Sequence, residues 1–189
     1  LLNLKPERFD DIVAVLALYR PGPMENIDEF IARRHGKPFT YEHPVLEPIL
    51  KSTYGIIVYQ EQIMQIAQSF ANFTLGQADL LRRAISKKDE AQLKAQETAF
   101  LNGAMNRGHS LETAKQIYRY FLKFNNYGFN KSHAVAYGLV SYQMAYLKAN
   151  YFKIFISKIL NNVIGATKTM VSYIQYAKAH HVITYKPNI

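Results

Sequence analysis

The stretch LETAKQIYRYFLKF, residues 111–124, indicates the fold class of this 189-residue chain. Its apolar residues recur every three or four positions, which is the spacing of an amphipathic helix with one apolar face. The residues on that face are Ala114, Ile117, Tyr118 and Phe121. Ser110 precedes the stretch, and serine there accepts hydrogen bonds from the first N–H groups of a helix. The stretch therefore predicts a capped helix with one buried face.

Similar patterns on both sides predict a mainly α, multi-helix fold with one or two short strands. Further helices are expected at 10–19, 26–34, 48–51, 60–71, 74–84, 87–107, 132–150, 152–162 and 168–180, with Asn26, Thr74, Ser132 and Thr167 as caps. The helix ending at Asn150 is apolar on both flanks, so it is expected to be central and buried. Gly55–Tyr59 and the terminal run His181–Ile189 have the composition of strands.

Composition excludes several classes of protein. A chain that is 49% hydrophobic and 13% aromatic is not disordered, and its length allows one domain or two small ones. No run of 18 apolar residues is present, and the absence of cysteine excludes disulfides and thiolate zinc sites. Because the N-terminal stretch has acidic residues and no apolar core, we expect no signal peptide. We expect a cytoplasmic protein. Because the chain begins at Leu1 rather than methionine, we also expect a piece of a longer protein.

Charge is distributed unevenly along the chain. Residues 1–112 carry 13 Lys/Arg and 14 Asp/Glu, whereas residues 113–189 carry ten Lys/Arg and no acidic residue. Local ion pairs cannot balance that second segment, so it is expected to attract polyanions, of which nucleic acid is the commonest. An anionic membrane surface is the alternative, but the cations are not confined to one face of a helix.

No metal site is predicted in this sequence. A two-metal phosphoryl-transfer site needs two or three convergent carboxylates, and none can come from residues 113–189. The adjacent acidic pairs, such as Asp10 with Asp11, diverge by about 100° on a helix. The six histidines show no zinc-ligand spacing.

Two motifs favour anion binding. The run LRRAISKK, residues 81–88, is the densest basic cluster, and arginine forks match phosphate oxygens; a solvated helix end is the simpler interpretation. The run YGFNKSH, residues 127–133, places a lysine and several hydrogen-bonding side chains at the start of the next helix, where free N–H groups attract anions. Tyr127 or Phe129 could stack on a base; an ordinary glycine-bearing turn between helices is the simpler interpretation.

Four stretches, in this order, carry a specific resemblance. They are Ala17–Met24 (ALYRPGPM), Thr53–Gln62 (TYGIIVYQEQ), Ala78–Ala84 (ADLLRRA) and Tyr127–Tyr137 (YGFNKSHAVAY). From about Phe9 onward the chain resembles the C-family bacterial replicative DNA polymerases, the DNA polymerase III alpha subunits. The forms around Gln60 and Ser86 are similar to those of low-GC Gram-positive bacteria.

The resemblance implies a domain organisation and a function. Residues 1–24 would be the junction with the palm, 25–180 the fingers domain, and 181–189 the start of the link to a helix-hairpin-helix region. The function implied is binding of incoming deoxynucleoside triphosphate and primer–template for DNA-directed DNA synthesis. The palm aspartates holding two Mg²⁺ ions would precede Leu1, so this piece alone is expected to be inactive, with no catalytic residue of its own.

The resemblance also implies site residues and partners. The expected nucleotide-binding residues are Arg20, Arg82, Arg83, Tyr127, Asn130, Lys131 and His133, and the expected DNA-binding residues are Lys87, Lys88, Lys123 and Phe129. Whole-enzyme partners would include the sliding clamp and the clamp-loader and other replisome proteins, and no membrane. A stand-alone helical DNA-binding module and a docking scaffold remain the alternatives.

Overall fold

The chain is mainly α-helical, as predicted. The computed structural model describes residues 1–87, 89–123 and 128–185. Its helices are α1 (Phe9–Leu18), α2 (Ile27–Arg34), α3 (Glu47–Leu50), α4 (Gln60–Ala71), α5 (Leu75–Lys87), α6 (Glu90–Asn106), α7 (Leu111–Lys123), α8 (Lys131–Asn150), α9 (Phe152–Asn162) and α10 (Thr167–Ala179). Short 3₁₀ turns lie at Pro23–Asn26, Pro44–Leu46 and Lys51–Thr53.

The strand expected at Gly55–Tyr59 is a buried extended segment. Among the described residues its strand-like pairing is limited to one parallel bridge between Tyr59 and Phe129. The amide of Gln62 holds this segment: its Oε1 accepts from the N–H groups of Val58 and Tyr59 at 2.8 and 2.9 Å. One buried side chain thus replaces the hydrogen bonds that a neighbouring strand would give. The expected terminal strand is also absent at 182–185, while 186–189 lie outside the described residues.

Residues 1–138 form one compact unit with two apolar clusters. The larger cluster joins α4, α5, α6 and α7, and Phe100 stands at its centre, in ring contact with Phe70, Phe73, Tyr118 and Phe121. The predicted inward face of α7 is confirmed, since all four of its residues are buried. The smaller cluster joins α1, α2, the extended segment and the first turns of α8.

A buried carboxylate orders the smaller cluster. Asp11 Oδ1 accepts the hydroxyl of Tyr54 at 2.7 Å, and Oδ2 accepts the N–H groups of Glu7 and Arg8 and the Nε–H of Arg34. Burial alone would raise the pKa of Asp11, but these hydrogen bonds and the Arg34 charge outweigh it and lower the pKa below the ordinary value. Burial and the bond to Asp11 raise the pKa of Tyr54 to about 12, so its hydroxyl remains a donor.

Some of the capping residues predicted at the helix N-termini are confirmed and others are wrong. Thr74 and Ser110 cap as expected: Thr74 exchanges hydrogen bonds with Gln77, and Ser110 Oγ accepts from Thr113 N at 3.1 Å. The other expected caps are wrong. Asn26 makes no side-chain cap bond, Asn130 rather than Ser132 caps α8, and Thr167 is already helical. Helix α6 begins after its cap Asp89 rather than at Lys87.

The prediction that α8 is a buried central helix is wrong for most of its length. In this helix only Ala134 and Gly138 are buried, and every residue from 139 to 150 is exposed. Gly138 is small because α1 lies against it: a Cβ there would be 3.1 Å from Val13 Cγ2. The apolar pattern of α8 indicates which faces can be buried, but in the described structure nothing covers most of them.

Residues 139–189 form the second compact unit, described to residue 185. Its helices α9 and α10 contact each other. Ile156 on α9 and Ala177 on α10 are its buried residues within the described range. Phe152 and His180 stack with ring centroids 4.8 Å apart. Within the described ranges, no helix is both long and apolar enough to cross a membrane.

Candidate functional site

The first unit brings most of the predicted site residues into one network of contacts, built around the bridge between the extended segment and the residues before α8. Phe129 N–H donates to Val58 O at 3.2 Å, and Gln60 N–H donates to Phe129 O at 3.0 Å. Gly128 permits this close approach, because a Cβ at that position would lie 2.7 Å from Gln60 Cγ. The network therefore joins parts of the chain about 70 residues apart in sequence.

Aromatic and cationic side chains extend from this bridge. The Arg20 guanidinium carbon lies 4.7 Å from the centre of the Phe129 ring, and Arg20 Nε donates to Ala17 O at 2.8 Å. Burial lowers the pKa of Arg20, although guanidinium stays charged at neutral pH. The Phe129 and His133 rings contact each other edge to face with centroids 5.4 Å apart, and the His133 and Tyr137 ring centroids are 4.6 Å apart. One face of Phe129 is therefore already covered by a cation.

The start of α8 differs from its prediction. Both carboxylate oxygens of Glu61 accept from Lys131 N–H at 3.0 Å, and Asn130 Oδ1 accepts from His133 N–H at 2.8 Å. The helix N-terminus expected to hold a ligand anion thus already holds the carboxylate of Glu61. The Lys131 ammonium lies 5.5 Å from the centre of the buried Tyr59 ring, and burial raises the pKa of that tyrosine.

The arginine pair shares one carboxylate. Arg82 donates through Nε and Nη2 to Asp79 Oδ1 at 2.8 and 2.7 Å, and Arg83 Nε lies 2.8 Å from Asp79 Oδ2. These contacts, led by the Arg82 hydrogen bonds, lower the pKa of Asp79 and keep it ionised. Arg82 Nη1 also donates to Gln60 Oε1 at 3.3 Å, which connects the pair to the Phe129 bridge.

The structure places the predicted residues in three groups. Those joined in the network are Arg20, Arg82, Arg83, Phe129, Asn130, Lys131 and His133. Lys87 and Lys123 are exposed at the last positions of α5 and α7, and no described contact ties them to the network. Tyr127 and Lys88 lie outside the described residues.

Sequence reasoning missed the acidic and amide members of the network. Asp79 had a local signal, because it lies three and four positions before the two arginines on one helix, the spacing of helical ion pairs. Gln60 and Glu61 had no such signal, since their partners are far away in sequence. Each of the two expected anion sites therefore contains a carboxylate of the chain itself.

These carboxylates do not fit a two-ion metal site. Glu61 accepts backbone N–H groups and Asp79 is held by arginines, and the two belong to separate contacts. In the described ranges, no group of three His, Asp or Glu side chains could hold a metal ion. What the network offers is cationic: three arginines and a lysine beside aromatic rings, an arrangement suited to a phosphate-bearing, ring-containing ligand.

Comparison with known proteins shows which family the chain resembles. Residues 1–108 match the family model described as the bacterial DNA polymerase III alpha subunit finger domain. The whole chain is 52% identical to part of DNA polymerase III subunit alpha from Staphylococcus aureus strain Mu50 and 53% identical to part of that from Halalkalibacterium halodurans strain C-125. The chain spans less than a fifth of each relative, 18% and 17%.

Both relatives come from low-GC Gram-positive bacteria, as the resemblance in the sequence predicted. The matched region contains three of the four motifs that carry the resemblance, and it includes the arginine pair. The fourth motif, at residues 127–137, lies beyond the family model but inside the region aligned with both relatives. The chain therefore belongs to the finger-domain family of the bacterial DNA polymerase III alpha subunit.

Proposed function

We propose that this chain binds the incoming deoxynucleoside triphosphate and the primer–template DNA in a cytoplasmic bacterial replicative DNA polymerase. The observation that carries the proposal is the network that links Arg82 and Arg83, through Gln60, to Phe129 and Arg20. Arginine forks bind phosphate oxygens in pairs, and aromatic rings stack on bases. The network thus contains groups for both the triphosphate and the base of a nucleotide.

In this function the chain contributes orientation and charge rather than bond making. Arg82 and Arg83 bind the triphosphate and offset its negative charge, while Asn130, Lys131 and His133, with Tyr127, border the nascent base pair. Arg20, which lies over the Phe129 ring, faces the same pocket and also binds the nucleotide. Lys87, Lys88 and Lys123 contact the DNA backbone, and Phe129 packs beside the DNA.

The remaining parts of the proposal concern the whole polymerase. Two Mg²⁺ ions would be held by carboxylates of its palm, because those of this site are occupied by arginines and backbone N–H groups; this chain alone would not extend a primer. Residues 1–24 would join the palm, 25–180 would form the fingers, and 181–189 would lead to the next domain. The sliding clamp and the clamp-loader and other replisome proteins would be partners of the whole enzyme. Membership in a polymerase family does not favour a stand-alone DNA-binding module.

The arginine pair provides the test. In the polymerase that carries this chain, we expect Arg82→Ala or Arg83→Ala to lower kcat/KM for nucleotide by roughly 10- to 150-fold, since a charged hydrogen bond contributes about 1.5–3 kcal/mol. Lysine at either position should restore only part of the activity, because a point charge cannot form a fork. Steady-state nucleotide incorporation measures the effect.

Arg107→Ala is the matched control. Arg107 is also exposed and hydrogen-bonded, to Asn72 Oδ1 at 3.3 Å, but it lies outside the network. It should leave kcat/KM within about twofold, as expected of a surface substitution. Arg83 is 60% exposed, so its loss should change the melting temperature little. Normal kcat/KM in both alanine variants would show that the pair does not bind the triphosphate.

A further inference from the structure

Asp79 determines where the two arginines point. Adjacent residues on a helix diverge by about 100°, so the side chains of Arg82 and Arg83 would ordinarily project in different directions. Both reach back to the same carboxylate, three and four positions earlier, one to each oxygen. The two guanidinium groups therefore lie next to the same carboxylate instead of pointing in different directions.

The carboxylate also makes that arrangement electrostatically possible. Two neighbouring guanidinium groups repel each other, and one ionised carboxylate between them lowers the cost of keeping them together. The Asp79 side chain is 29% exposed and that of Arg82 is 25% exposed, so solvent screens this group less than a fully exposed pair. The three side chains together still carry one net positive charge, which remains available to a polyanion.

Several N–H donors of the two arginines remain available to a ligand. A guanidinium group has five N–H donors. Arg82 uses two on Asp79 and one on Gln60, which leaves two without a partner among the residues the structure describes. Arg83 uses its Nε on Asp79. Asp79 and Gln60 therefore fix the Arg82 group from two sides while its remaining donors, and those of Arg83, stay open to phosphate oxygens.

We propose that Asp79 is a positioning residue for nucleotide binding: it holds Arg82 and Arg83 in the paired orientation in which both meet the triphosphate. The proposal rests on the proposed function, since it gives Asp79 a role only through those two arginines. Asp79 touches no substrate. Without the Asp79 carboxylate, Arg82 and Arg83 keep the positive charge that attracts the nucleotide. They lose the fixed orientation in which they bind it.

The test compares Asp79→Asn with Asp79→Glu in the polymerase that carries this chain. We expect Asp79→Asn to lower kcat for nucleotide incorporation by roughly 10- to 100-fold, the cost of misplacing a group that orients a substrate. KM should stay within about threefold, because the attracting charge is retained. Asp79→Glu should restore most of kcat, since glutamate also forms ion pairs at these helical spacings. Asp28→Asn, on α2 and exposed, is the charge-matched control and should leave both constants unchanged.

A double-mutant comparison separates positioning from a general structural effect. In an enzyme that already carries Arg82→Ala and Arg83→Ala, adding Asp79→Asn should change kcat by less than about twofold, because no pair remains to be positioned. Thermal melting of each variant verifies folding, and Asp79→Glu keeps the test valid if Asp79→Asn melts early.

The outcomes distinguish the two proposals. If the arginine variants keep normal kcat/KM, the proposed function fails. If the arginine variants are impaired while Asp79→Asn behaves like Asp28→Asn, or has a higher kcat/KM than the unmodified enzyme, only the positioning role is overturned. An equal loss of kcat with and without the arginines also overturns it.

Discussion

Residues 1–138 and residues 139–185 have similar apolar patterns but bury them to very different extents. The first unit has two well-packed clusters, while in the second only Ile156 and Ala177 are buried within the described range. Large side chains such as Tyr142 and Ile154 are exposed there, at 51% and 71%. Apolar periodicity therefore identifies a face that can be buried, while the amount of burial depends on what packs against it.

The two regions also differ in their charged residues. Every ion pair found among the described residues lies between residues 7 and 83, where acidic and basic side chains alternate. Beyond Glu112 the chain has no carboxylate, and Lys148 instead lies 4.8 Å from the centre of the Tyr176 ring. Five arginines and one lysine between residues 7 and 83 are paired with carboxylates. Residues 139–185 contain no acidic side chain that could pair with their lysines, so this segment is expected to attract polyanions.

The largest effect expected from this comparison is the loss of unfolding free energy when a buried side chain of the first unit is truncated. Phe100→Ala should reduce the free energy of unfolding by about 3–5 kcal/mol, because Phe100 is fully buried and its removal leaves a cavity among four aromatic rings. Ile154→Ala, at an exposed position of α9, should change it by no more than about 0.5 kcal/mol. Urea unfolding of the 189-residue chain measures both. A loss of about 2 kcal/mol or more for Ile154→Ala would mean that this side chain is buried in solution.

The sequence predicts the helices of both regions and two of their caps, whereas three other caps and most of the distant contacts differ from the prediction. Helix periods and the Thr74 and Ser110 caps depend on residues within four positions of each other, and they are confirmed. The contact of Glu61 with Lys131 N–H spans 70 positions, so no local pattern indicates it. Asp79 is the exception, because its spacing of three positions to Arg82 is a local pattern typical of a helical ion pair.

The same limit explains the largest error, in α8. Its two apolar flanks are present as predicted, but the burial of a helix depends on the elements that pack against it rather than on the helix alone. Site residues were named from motif resemblance, and the structure joins seven of them in one network. Their roles toward nucleotide and DNA remain predictions.

The second largest effect expected is on how the free energy of unfolding changes at acidic pH. Because the pKa of Asp11 is lower in the folded chain than in the unfolded chain, its stabilising contribution is complete above the unfolded value, about 3.9, and is lost as the pH falls through the folded value. Each pH unit in that window changes the free energy of unfolding by at most about 1.4 kcal/mol for one proton. We expect Asp11→Asn to be less stable at pH 7 and to lose less stability than the unmodified chain between about pH 5 and pH 3.

Asp28→Asn is the control for that experiment, since Asp28 is exposed on α2 and the variant should keep the acid dependence of the unmodified chain. Residues 113–189 contain no Asp or Glu, so loss of stability through protonation of acidic side chains arises from residues 1–112. Urea unfolding at several pH values measures the slopes. Equal slopes for Asp11→Asn and the unmodified chain would contradict the role assigned to this buried carboxylate.

The smallest effect compares two helix starts, one in each region. Ser110 Oγ accepts from Thr113 N–H at the start of α7, so Ser110→Ala should cost about 1 kcal/mol of unfolding free energy. Thr167 is the first residue of α10 and provides no cap, and alanine has the higher helix propensity, so Thr167→Ala should be neutral or stabilising by a few tenths of a kcal/mol. Ser110→Asp should retain the cap, because aspartate accepts the same hydrogen bond and its charge is favourable at a helix N-terminus. Thermal and urea unfolding of the three variants measure these differences. Similar losses for the two alanine variants would show that α10 is capped in solution by Thr167, as the sequence alone had predicted.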